Sequence, residues 1–323
     1  MKILPLCLLI LLLAAAPVAT AATTYSETEI DGGVLIYDSG TLEIDEFDSE
    51  TDPLAGPDTS TSALSVSADG FAGARASSGL GWLRSAANTE AQTGANSSSQ
   101  YLARATSSWT DTFTFTTADT LLIGTNGTVR LAVATDGGLL TNVGLFGSAD
   151  ASVSVSLRVS DVTHGLRDLT RTQSRNSAGV LSGDSSLFLS ADIAFVWNQP
   201  FDVTQELLVA ASSSGFEGLT GSSGIAQANY GNTSEWQGFS GVFDSVGNPV
   251  NPANYSFSSG SGVDFTQPIQ APPVPEPSAA GLAGAALAAL MMARFRAARA
   301  SVAAIRAIKA SGFEVRPLQS YHA

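Results

Sequence analysis

Apolar and polar residues alternate along much of this chain with a period of two. Between Ala151 and Val159, the aliphatic residues Val153, Val155, Leu157 and Val159 take turns with Ser152, Ser154, Ser156 and Arg158. Alternation of this kind sends one set of side chains to a core and the other to solvent, as a half-buried β-strand requires. Thr128 to Ala134 repeats it, with Val129, Leu131 and Val133 inward and Thr128 and Arg130 outward. Thr110 to Thr116 places Phe113 and Phe115 between threonines, and Leu187, Leu189, Ile193, Phe195 and Trp197 share one parity. Phe201, Val203, Leu207 and Val209 mark a further strand.

Turn chemistry separates these runs. Asp31-Gly32, Asp69-Gly70, Asn126-Gly127 and Asp136-Gly137 are dipeptides that accept positive φ at little cost, so they suit hairpins. The serine- and glycine-rich stretches from Gly94 to Ser99 and from Ala211 to Gly224 read as loops. No segment of the body sustains a 3.6-residue apolar period over helical length. The expected fold is therefore all-β, an antiparallel β-sandwich or jelly roll, with a closed barrel as the alternative. An outer-membrane barrel fits less well, because its last strand belongs at the chain end and its lipid face needs aromatic girdles.

The two ends follow different rules. Met1-Lys2 precedes an apolar run from Ile3 to Ala16, and Ala19-Thr20-Ala21 then offers small residues where a signal peptidase reads them. That run spans 14 residues, short of the ~20 that cross a bilayer. Residues 1–21 are expected to be a cleaved signal peptide, leaving Ala22 as the new N-terminus. The single cysteine, Cys7, lies inside it, so the mature chain has neither disulfides nor thiolate chemistry. Residues 22–265 make the expected sandwich body, long enough for one large domain or two smaller ones.

Charge divides along the same line. From Ala22 to Pro273 there are 27 acidic residues against eight arginines and no lysine, a balance of −19. From Arg294 to Ala323 six basic residues face one acid, a balance of +5. An acidic body argues against nucleic acid, whose phosphates need a basic surface.

Between body and tail, residues 266–277 contain Pro268, Pro272, Pro273, Pro275 and Pro277, an extended spacer with no core of its own. Ser278 to Ala293 is an unbroken apolar run that meets Arg294, Arg296 and Arg299. As a helix, those 16 residues would reach roughly 24 Å, and the arginines would hold their end on the cytoplasmic side. Val274-Pro275-Glu276-Pro277-Ser278, then a small-residue apolar helix over 278–293, then an arginine cluster, resembles the PEP-CTERM sorting signal of Gram-negative bacteria. The resemblance implies that an exosortase recognises Pro275, Glu276 and Pro277, that Arg294, Arg296 and Arg299 form the basic stop, and that the protein passes transiently through the inner membrane to the cell surface or the medium. It further implies an association with exopolysaccharide and biofilm. Tyr255 to Phe265 is similar to the last strand that precedes this linker in the family. The chain departs from the pattern by continuing through a basic extension, 300–323, in which Ser301 to Ala310 is alanine-rich.

Few residues of the body suggest chemistry. His164 is its one histidine, with Asp161 and Asp168 near enough in sequence to orient it, but no G-x-S-x-G turn presents a nucleophile. An exposed loop histidine is the expected reading. Glu43, Asp45, Asp48, Glu50 and Asp52 crowd ten residues, yet Pro53 stands where a calcium loop needs glycine, so a solvated acidic loop is expected. Among Trp82, Trp109, Trp197 and Trp236, Trp197 continues an apolar parity and should be core. Trp236, between Glu235 and Gln237, is the candidate glycan contact. No metal site or cofactor is expected. Two functions follow as expectations: a non-enzymatic structural or adhesive surface protein processed by signal peptidase and exosortase, or a carbohydrate-binding module or glycosidase on the same scaffold.

Overall fold

From Pro200 to Gly215 the odd positions are buried without a break, and the even positions are half-exposed. The computed structural model describes residues 22–36, 40–52, 59–67, 70–92, 97–215 and 222–273, and in that range strands of this kind build nearly the whole body. In chain order they are β1 (Thr23–Ile36), β2 (Gly40–Asp52), β3 (Thr59–Ser67), β4 (Gly70–Gly79), β5 (Trp82–Gln92), β6 (Ser97–Thr117) and β7 (Asn126–Val143). There follow β8 (Ser148–Asp161), β9 (Gly165–Arg175), β10 (Leu181–Gly183), β11 (Leu189–Val196), β12 (Pro200–Gly215), β13 (Ser223–Phe243) and β14 (Tyr255–Ser259). One turn of 3-10 helix, Pro252–Asn254, leads into β14.

Every strand pairing is antiparallel. The larger sheet has eight strands, in the order β10-β9-β8-β12-β6-β1-β2, with β14 also on β6; the smaller has six, β11-β7-β13-β5-β4-β3. The two sheets pack face to face around one core. Thr114 of β6 pairs with Pro200 on one side and Ser258 on the other, so β14 lies on the edge of β6 that β1 also uses.

Residue size is graded along the core. One end is aromatic: Trp109, Phe113, Phe115, Phe195, Trp197, Phe201, Trp236 and Phe265 are buried in mutual contact. The other end is built of alanine, including Ala87, Ala91, Ala103, Ala149, Ala151, Ala211, Ala226 and Ala228. There the backbones themselves meet: Gly144 N donates to Ser223 O at 2.9 Å, and a Cβ on Gly224 would run into the Ser148 carbonyl.

The alternation predicted for Val153, Val155, Leu157 and Val159 is found, with all four buried. So is the burial of Val129, Leu131 and Val133, and of Trp197. Other expectations need correcting. Asp31-Gly32 is no hairpin but lies inside β1. Asp136-Gly137 lies within β7, opposite an irregularity of β13 between Asn229 and Thr233. Gly137 is needed there because a Cβ would strike the Tyr230 ring. The serine-rich stretches expected as loops are partly strand, since Ser97–Ser99 belong to β6 and Ala211–Gly215 to β12. Small hydroxyl side chains fit the narrow end of the sandwich, where Ser99 and Ser213 are buried. The acidic stretch is likewise not a loop. Glu43, Asp45, Asp48, Glu50 and Asp52 stand in β2, paired with β1 from Thr41↔Leu35 to Asp52↔Thr24. An edge strand tolerates charge, which discourages pairing with other chains.

The spacer begins later than its prolines suggest. Phe239 N donates to Thr266 O at 3.4 Å and Ile269 N to Trp236 O at 2.9 Å. Ala271 N donates to Glu235 Oε1 at 3.1 Å. The body thus runs to Ala271, where the chain divides into two units.

Candidate functional site

The outer face of the larger sheet carries an unusual density of hydroxyl groups. On β6 the core-facing odd positions alternate with Thr106, Ser108, Thr110, Thr112, Thr114 and Thr116. Neighbouring strands continue the pattern, and hydroxyls meet across the ladders. Thr110 and Thr204 are 2.8 Å apart, Thr116 and Ser256 2.6 Å, Ser148 and Ser214 2.6 Å, and Ser174 and Ser182 2.8 Å. Each such pair consumes one donor and one acceptor and leaves further lone pairs free to accept. Arg158 on this face pairs with two acids. It reaches Asp168 at 3.2 Å and Glu206 at 3.6 Å.

Near the alanine end of this face lies a shallow depression of about 130 Å³, with Ala210 among its lining residues. Leu102, Asp150, Ser152, Ser174 and Ser212 surround it. The combination of apolar side chains, three hydroxyls, the Asn176 amide, the Asp150 carboxylate and the Arg175 guanidinium can hold a small polyhydroxylated ring: the apolar patch takes its C–H groups and the polar rim its hydroxyls.

Trp236 does not contribute to any such surface. It is fully buried, and its Nε1 donates to Phe265 O at 2.7 Å. Its ring lies edge-on to Trp109 and Phe113, each at 5.8 Å. Glu235 and Gln237 made it look exposed, but on a strand they are simply the outward neighbours of an inward residue. Trp82, Trp109 and Trp197 are buried as well, so none of the four tryptophans offers an open stacking platform.

His164 lies in the turn between β8 and β9, as expected of a loop residue, but it is half-buried rather than exposed. Its Nδ1 lies 2.9 Å from Asp161 Oδ2, and Arg167 reaches the same oxygen at 2.6 Å. Asp168, the other predicted orienting residue, instead pairs with Arg158. Burial pushes the Asp161 carboxyl up, but the amide and ring of His164 and the amide of Thr163 outweigh it and hold the group below its usual range. Arg167 also donates to Ala194 O of β11 at 2.6 Å. The cluster therefore ties the β8–β9 hairpin to the smaller sheet, and no hydroxyl nucleophile is among its partners in the described residues.

Among the described residues no group of three or more His, Cys, Asp or Glu could hold a metal ion, and no helix is long and apolar enough to cross a membrane. Pro275, Glu276 and Pro277, the apolar run 278–293 and Arg294, Arg296 and Arg299 lie outside the described residues, as does the signal segment 1–21. The depression went unread in the sequence because β6, β8, β9 and β12 supply its walls from positions as distant in the chain as Leu102 and Ser212. The one available signal was the run of alternate threonines and serines between Thr106 and Thr116. No family model, curated protein or solved structure matches the chain.

Proposed function

We propose that this chain is an exported surface protein, sorted through its C-terminal tail by an exosortase, whose body works by non-covalent association with a polysaccharide matrix. The tail reading rests on three elements in order: Pro275-Glu276-Pro277, the apolar run 278–293, and Arg294, Arg296 and Arg299. The body reading rests on one observation, the hydroxyl-covered outer face of the larger sheet with the depression around Ala210. Hydroxyls both donate and accept, so they match the hydroxyls of a sugar polymer in many registers. An acidic body repels a polyanion, so a neutral polymer is the better fit.

Co-sedimentation of the exported protein with neutral exopolysaccharide from its own cells tests this reading. Ala210→Tyr fills the depression and is expected to weaken binding at least tenfold. Gln227→Tyr, on the outer face of the smaller sheet, should leave it unchanged. Equal binding by both variants would remove the larger sheet from the contact. New reducing ends appearing during incubation would favour the glycosidase alternative over simple binding.

A further inference from the structure

Asp111 is a carboxylate 1% exposed in the core-facing row of β6. Its oxygens accept from the Thr112 amide at 2.7 Å, from the Ser261 amide at 3.1 Å, and from the Ser261 hydroxyl. No arginine or histidine pairs with it among the described residues. Burial pushes its carboxyl above the ordinary value, and the Ser261 and Thr112 bonds offset only part of that. The nearest other acid with a shared partner is Asp202 of β12, which accepts the Thr112 hydroxyl at 2.7 Å. A buried carboxylate without a counter-charge is costly, and proteins rarely keep one without a use.

The register of β1 supplies a partner. The ladder ends with Thr23, the first residue of β1, opposite Thr110, so Ala22 precedes β1 at the end of the ladder next to Asp111. Ala22 is itself buried, at 5% exposure. It is also the residue that follows Ala19-Thr20-Ala21, the expected signal-peptidase site. In the precursor its nitrogen is a neutral amide. Hydrolysis of the Ala21–Ala22 bond by one water gives Ala21 a carboxylate and Ala22 an amine, which takes up a proton at neutral pH (α-amino groups titrate near ~7.7–8.0).

We propose that the α-ammonium group of Ala22, created by removal of the signal, forms a buried ion pair with Asp111. This rests on the export reading above. The pair closes a junction in which the first strand and the last, β1 and β14, meet on one edge of β6. Gly260 N donates to Thr112 O at 2.8 Å beside it. The body therefore gains its last polar contact only when the signal has gone.

The absence of lysine from the body makes the test direct. Ala22 carries the one amine of the mature chain outside the tail, and sorting at Pro275-Glu276-Pro277 removes Lys309 with the tail. Mass spectrometry of the exported protein first establishes its N-terminus. An N-terminus other than Ala22 would sink the processing assignment, and the ion pair with it. With Ala22 confirmed, the α-amine is acylated at neutral pH in the folded and denatured protein. Protection of at least tenfold in the folded wild type, lost in Asp111→Asn, is the expected result. No protection in the wild type, or equal protection in both, overturns the pair while leaving export intact. Should Asp111→Asn not fold, the wild-type rate across pH decides. A paired amine reacts ever faster above pH ~8.5, whereas an unpaired one levels off near its ordinary value, which would overturn the pair.

Discussion

The indole Nε1 of Trp109 donates to Oε1 of Gln205 at 3.0 Å, between two strands of the larger sheet and with both side chains fully buried. The amide of Gln205 then crosses to the smaller sheet. Its Nε2 donates to Ser234 Oγ at 2.8 Å, and Ser234 in turn meets Thr135 Oγ1 at 2.7 Å. A polar chain thus runs through the core where β13 breaks register between Tyr230 and Ser234. Gln205→Leu should cost about 1–3 kcal/mol for each group left unpaired, measured by urea unfolding. Adding Trp109→Phe should cost less than the sum of the two single changes, because the indole donor is already orphaned.

Val155 and Ser154 are adjacent on β8 but face opposite ways, Val155 fully buried and Ser154 half-exposed. Val155→Asp should cost several kcal/mol, since it buries an unpaired charge. Ser154→Asp should change stability by less than about 1 kcal/mol. Equal losses would mean that β8 is out of register with β12.

Phe265 seals the aromatic end of the core from beyond the last strand. Its ring stacks on Trp109 at 5.1 Å, lies 4.8 Å from Phe113, and meets Trp236 edge-on at 5.6 Å. Phe265→Ala should cost about 3–5 kcal/mol and shift the tryptophan emission to the red as water reaches Trp109 and Trp236. Truncation after Phe265 should be milder but measurable, through loss of the Ile269 and Ala271 bonds.

Acid should weaken the β8–β9 hairpin through Asp161. Its carboxyl sits below the usual range in the folded state, despite burial, because of the bonds from His164 and Thr163. Its contribution is therefore fully present above the unfolded value of ~3.9 and is lost as pH falls through the depressed folded value. Asp161→Asn should be less stable than wild type at pH 7, and the gap should close towards pH 2. A gap that stays constant in urea titrations over this range would contradict the assignment.

Replacing Pro275, Glu276 and Pro277 with alanines should leave the body folded, because the described strands and core residues all precede them. Under the proposed sorting, the altered chain stays uncleaved in the inner membrane. Its appearance at the surface in normal yield and size would strip the motif of its role.

What the sequence alone determined is the local pattern. Alternation named the buried faces of β7, β8 and β12 because a strand's side chains have a fixed period of two. Leu131, Val153 and Val203 could therefore be assigned inward without knowing their neighbours. What the tertiary structure decided is everything that depends on which strands meet. Trp236 looked exposed between Glu235 and Gln237 until Phe265, 29 residues on, was seen to cover it. The acidic stretch became an edge strand only once β1 paired with it. The polar chain from Trp109 to Ser234 and the depression around Ala210 each draw on strands far apart in sequence. Pairing across such distances is set by the packing of whole sheets, and no short stretch of residues encodes it.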